Sequence, residues 1–142
     1  MNNIVNFEIA QLLKEKGYDN DTLSPNKSKY FYTTPNSEMY GIDEYGIYSM
    51  VNTPEKLYKL GEHCVVGIEN VYQAPTISEV VMWLYDDKYG IWIWVQKEWD
   101  NGKLLGFEAV IDTNDGFTNT DTFNTPSEAY SEAILYTLKN LI

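Results

Sequence analysis

The chain contains no arginine; all ten of its basic residues are lysines, against 21 aspartates and glutamates in 142 residues, for a formal charge of -11. Phosphate neutralisation by basic side chains supplies most of the affinity of nucleic-acid binders, and arginine is the usual bidentate partner of phosphate and guanine. Direct DNA or RNA binding is therefore not expected. No G-x-x-x-x-G-K-[ST] or G-x-G-x-x-G loop is present, which removes the common phosphate cradles. Cys64 is the only cysteine and His63 the only histidine. One cysteine cannot make an internal disulfide, so a reducing, cytoplasmic setting is expected. A zinc site would need two carboxylates beside these two residues, and neighbours on a strand point to opposite faces, so neither a metal nor a Cys–His pair is expected. No 18-residue apolar run occurs and the first residues lack a charged start and apolar core, so neither a membrane span nor a secretory signal is expected.

Apolar residues make up 44% of the chain and aromatics 15%, with 12 Tyr, 4 Trp and 5 Phe. That ring content argues against disorder despite the charge and favours strands. The length suits a single domain, residues 1–142.

Helices are expected where apolar spacing meets capping chemistry. Ile4 to Lys16 carries Val5, Ile9, Leu12 and Leu13 on one face and Gly17 behind it. Thr76 with Glu79, and Thr125-Pro126 with Glu128, read as helix starts, the first helix running to Gly90 and the second to the C-terminus. Thr53-Pro54 suggests a short helix to Leu60. Strands are expected at Tyr30–Thr34, once or twice within Met39–Val51, at Cys64–Tyr72, at Ile91–Trp99 and at Lys103–Asp112. Thr113–Asn124 is either a long loop or a third antiparallel strand. Asp100-Asn101-Gly102 marks a hairpin turn. A three-residue loop would oppose Val95 to Phe107 and gather the aliphatic residues on one face, whereas a two-residue loop would oppose Val95 to Glu108; burial favours the former. Strands and helices do not alternate strictly. The expected fold is α+β, an antiparallel β-sheet with α-helices packed on one face.

Asp112-Thr113-Asn114-Asp115-Gly116 has glycine fifth, and position twelve is Phe123, so it fails the EF-hand spacing and reads as a solvated turn. The adjacent acids Asp43-Glu44 and Asp86-Asp87 are expected by chance among 21 acids, and no catalytic residue or cofactor is assigned. Trp92, Trp94 and Trp99 with Tyr30 and Tyr32 are the candidate partner-binding residues, since Trp and Tyr anchor interfaces and exposed apolar patches mark them. The alternative is that the Tyr-rich N-terminal segment covers them. From Glu98 to Glu132 there are 8 acids and one lysine, Lys103.

Glu8-Ile9-Ala10-Gln11-Leu12-Leu13-Lys14-Glu15-Lys16-Gly17-Tyr18, Ala74-Pro75-Thr76-Ile77-Ser78-Glu79-Val80 followed by Trp83-Leu84, and Ser127-Glu128-Ala129 resemble small uncharacterised proteins from phages and mobile elements of gut Bacteroidales. The resemblance covers three segments, about a third of the chain. It implies a phage-type accessory protein inside a bacterial cell and no catalytic residue. The expected function is non-enzymatic and rests on contact with an unknown protein partner. The alternative is an acidic DNA mimic that inhibits a host nuclease or restriction enzyme, which needs carboxylates spaced like phosphates.

Overall fold

The computed structural model describes residues 3–18, 30–33, 38–42, 48–50, 57–59, 63–66, 71–86 and 88–142. Its elements run in the order α1 (Phe7–Glu15), β1 (Tyr30–Thr33), β2 (Glu38–Ile42), β3 (Tyr48–Met50), β4 (Tyr58–Lys59), β5 (His63–Val66), β6 (Val71–Gln73), α2 (Ile77–Tyr85), β7 (Trp92–Asp100), β8 (Lys103–Thr113), β9 (Gly116–Phe123) and α3 (Pro126–Asn140). Among the described residues all strand pairs are antiparallel, and helices pack against sheet, so the fold is α+β. The chain divides into two compact units, Val5–Pro75 and Met1–Ile4 with Thr76–Ile142.

In Val5–Pro75, α1 starts at Phe7, three residues later than the apolar pattern suggests. The Asn6 side chain accepts from the Ile9 amide at 2.9 Å and so sets the N-cap. The helix ends as expected at Gly17, whose φ is +85°. The Tyr18 amide donates to Leu13 and the Gly17 amide to Lys14, the paired bonds of a Schellman ending. Val5, Ile9, Ala10 and Leu13 are buried, and α1 packs on β6. β6 lies in a sheet of order β4-β1-β6, and a second sheet has the order β3-β2-β5. Rings fill this unit: Phe7 meets Tyr32 and Tyr72 edge-on, with centroids 5.5 and 5.6 Å away, and Phe31 stacks near Tyr58. The helix expected from Pro54 to Leu60 is not formed at its C-terminal end. Tyr58 and Lys59 pair with Phe31 and Tyr30 as β4, and burial of Tyr58 against Phe31 outweighs the local Thr-Pro signal. Residues 54–56 and 60 of that segment lie outside the described residues. The expected strand over Cys64–Tyr72 is two strands, β5 and β6.

In the second unit, Thr76 and Thr125 are the N-caps of α2 and α3. Each hydroxyl accepts from the amide of the glutamate three residues on, at 3.2 Å. Ile77, Val80, Val81 and Leu84 are buried, as the stripe requires. α2 stops at Tyr85 rather than Gly90. Asp86 turns extended, with ψ 158°, and an acid is unfavourable at a helix C-terminus. The Gly90 amide, at φ +62°, then donates to the Asp86 carbonyl.

The third sheet, β7-β8-β9, is the scaffold of this unit. Thr113–Asn124 supplies β9, resolving the loop-or-strand alternative in favour of a strand. The β7–β8 turn is the two-residue Asn101–Gly102 loop, with φ of +50° and +79°. Asp100 opposes Lys103 and Trp99 opposes Leu104; a bulge beyond Trp99 then shifts the register by one residue. Val95 consequently faces Ala109, not Phe107 or Glu108, and Ile93 faces Ile111. The expected aliphatic face is real, but a bulge makes it rather than a longer loop. Ile93, Ala109 and Ile111 are buried on that face, where α3 packs with Ala133, Ile134 and Leu138 facing inward.

Candidate functional site

The alternation that turns Ile93 and Val95 toward α3 turns Trp92, Trp94, Gln96 and Glu98 to the opposite, outer face. Cross-strand register completes three rows there. Trp92 opposes Asp112, which opposes Phe117; Trp94 opposes Val110, which opposes Asn119; Gln96 opposes Glu108, which opposes Thr122. Phe117 is 70% exposed and Trp92 36%. Trp94 and Phe117 are diagonal neighbours whose rings meet edge-on, with centroids 6.1 Å apart and planes at 82°. Val110, in the row between them, is only 5% exposed although it points outward. Trp92 also meets Tyr85 of α2 edge-on at 4.9 Å and forms part of the wall of a groove of about 370 Å³, with Ile77, Val81, Met82, Pro126 and Tyr130.

The polar end of the face is organised by carboxylates. Glu108 Oε1 accepts from Gln96 Nε2 at 3.3 Å and from Asn119 Nδ2, while Gln96 also donates to Glu98 at 3.2 Å. Asp112 is half-buried between Trp92 and Phe117 and has no cationic partner among the described residues. Lys103, opposite Asp100 at the hairpin tip, is the one lysine at an outward position on these three strands.

Of the residues singled out from the sequence, this face brings together Trp92 and Trp94. Trp99 is 58% exposed, but alternation puts it on the other side of β7, at the hairpin tip opposite Leu104. Tyr30 and Tyr32 belong to the Val5–Pro75 unit. Tyr32 is buried and its hydroxyl donates to the Val5 carbonyl at 2.7 Å; desolvation holds its phenol above the ordinary tyrosine range. Phe117 escaped sequence reasoning, and Asp112 reads from the sequence only as part of a solvated turn. The only signal was Phe117's place as one of two large apolar residues in an otherwise polar segment.

The Asp112–Gly116 segment joins β8 to β9 through a tight turn at Asn114 and Asp115, with Thr113 Oγ1 accepting from the Asp115 amide and donating to the Gly116 carbonyl, both at 3.2 Å. His63 and Cys64 lie in β5; their side chains, like Asp43, Glu44 and Asp87, are outside the described part. Among the described residues no cluster of three His, Cys, Asp or Glu side chains could hold a metal, and no helix is long and apolar enough to cross a membrane. No known protein family, curated protein or solved structure matches the chain.

Proposed function

We propose that this protein is a non-enzymatic accessory protein of phage or mobile-element type, working in the cytoplasm through protein–protein contact, with the outer face of the β7-β8-β9 sheet as its working surface. The observation that carries this reading is the exposed ring of Phe117 set edge-on to Trp94 on the face opposite α3. Exposed aromatic patches of this kind mark interfaces, where Trp and Tyr supply rigid contact area. The DNA-mimic alternative draws no support from the placement of the acids. Between Glu98 and Glu132 they are divided among the outer face of β7 and β8, the turn at Asp115, Asp121 on β9, and α3.

A pull-down from host lysate compares the wild-type chain with the double variant Trp92→Ala/Trp94→Ala. Both side chains are partly exposed, so the variant is expected to keep its circular dichroism spectrum and lose the captured partner. Capture of the same proteins by both forms, or collapse of the variant's fold, would refute the proposal.

A further inference from the structure

We propose, building on the interaction reading above, that the outer face takes an arginine or lysine side chain of the partner protein, seated on Asp112 between Trp92, Trp94 and Phe117. The row Trp92–Asp112–Phe117 places a carboxylate directly between two aromatic residues on neighbouring strands, and Trp94 closes the diagonal. Residues opposite each other in a sheet lie within side-chain reach, so a cation above Asp112 meets ring electrons and a negative charge together. Glu108 differs from Asp112 because Gln96 and Asn119 already donate to it. Asp112 is therefore the carboxylate left to bind a ligand.

Charge complementarity selects the occupant. The face presents Glu98, Asp100, Glu108 and Asp112, and its one outward lysine, Lys103, lies opposite Asp100 at the other end of the strands from Asp112. A second copy would set like charges against each other, and a nucleic acid would bring phosphates to carboxylates. A sugar platform needs coplanar rings and available amide donors. Trp94 and Phe117 stand at 82°, and both side-chain amides are spent on carboxylates. Two rings near a right angle form two walls of a cage, the arrangement that suits an ammonium or guanidinium group. Elsewhere the protein already sets its own cations over rings, Lys14 over Tyr72 at 4.8 Å and Lys88 over Tyr89 at 5.1 Å.

The test is an NMR titration of the full chain with the capped pentapeptide Ser-Thr-Arg-Thr-Ser and its citrulline counterpart. The arginine peptide is expected to shift the Trp92 and Trp94 indole N–H signals and the Phe117 ring, and the neutral peptide to leave them in place. Asp112→Asn, which removes the charge and keeps the rings, should weaken the arginine peptide about tenfold, the size of one charge-assisted contact. Glu132→Gln on α3 changes the net charge equally and should leave affinity unchanged. Equal response to both peptides, an unaltered affinity of Asp112→Asn, an equal effect of Glu132→Gln, or binding of cellohexaose or a thymidine oligonucleotide at the same rings would overturn the assignment. If the Trp92→Ala/Trp94→Ala pull-down still loses its partner while the peptides fail, the interaction reading stands and the cation site falls.

Discussion

Gly106 decides whether β9, and with it Phe117, stays on the sheet. It is buried, its φ is +150°, and it sits one residue past the bulge that resets the β7–β8 register. A Cβ there would run into the Phe123 carbonyl oxygen and come within 2.7 Å of Thr122 Cγ2. The oxygen is backbone of β9, paired to β8 through Phe107 and Glu108, so it cannot swing aside. For Gly106→Ala, two costs add. A non-glycine residue in this backbone region costs about 1–3 kcal/mol. Overpacking against fixed backbone costs about 1–3 kcal/mol more. The sum, about 2–6 kcal/mol, is a large part of the roughly 5–15 kcal/mol that stabilises an ordinary domain. Gly102→Ala is the internal control. Gly102 also has positive φ, +79°, but nothing lies within 4 Å of its Cβ position, so only backbone strain of about 1–2 kcal/mol applies. All four tryptophans lie in Thr76–Ile142, so urea unfolding followed by tryptophan fluorescence reports this unit. With a slope of about 2 kcal/mol per molar, Gly106→Ala should lower the midpoint by about 1–3 M. A Gly106→Ala midpoint no lower than that of Gly102→Ala would refute the steric account.

Thr76→Ala and Thr125→Ala each remove the hydroxyl that accepts from an N3 amide. Each should cost about 1 kcal/mol in the same urea assay, and their effects should add if the two caps act independently. Tyr32→Phe leaves the Val5 carbonyl without its donor and should cost about 1 kcal/mol at neutral pH, read from the circular dichroism of α1. The same variant tests a pH dependence. The unfolded phenol ionises near pH ~10 while the buried one holds its proton to higher pH, so above ~10 the unfolded chain binds fewer protons and stability falls as pH rises. Wild-type protein should show this alkaline loss and Tyr32→Phe should show less of it; equal slopes would refute the link.

Two of the four expected helix starts were legible in the sequence because a cap is a local device. Thr76 with Glu79 and Thr125 with Glu128 are complete within four residues, and the structure uses both. The alternation of Trp92 and Trp94 against Ile93 and Val95 was equally legible, since a strand alternates whatever its partner. The inward aliphatic face of the hairpin followed from burial alone. Tertiary structure decided the rest. The bulge that opposes Val95 to Ala109 depends on where β9 can approach Gly106, a contact across 17 residues that no turn residue announces. Tyr58 and Lys59 became a strand because β1 offered a partner and Phe31 a buried ring. Asp112 came to lie between Trp92 and Phe117 only through two successive registers. Caps and alternation need only neighbours in the chain; register needs the partner strand, so a row that spans three strands exists only once the sheet is built.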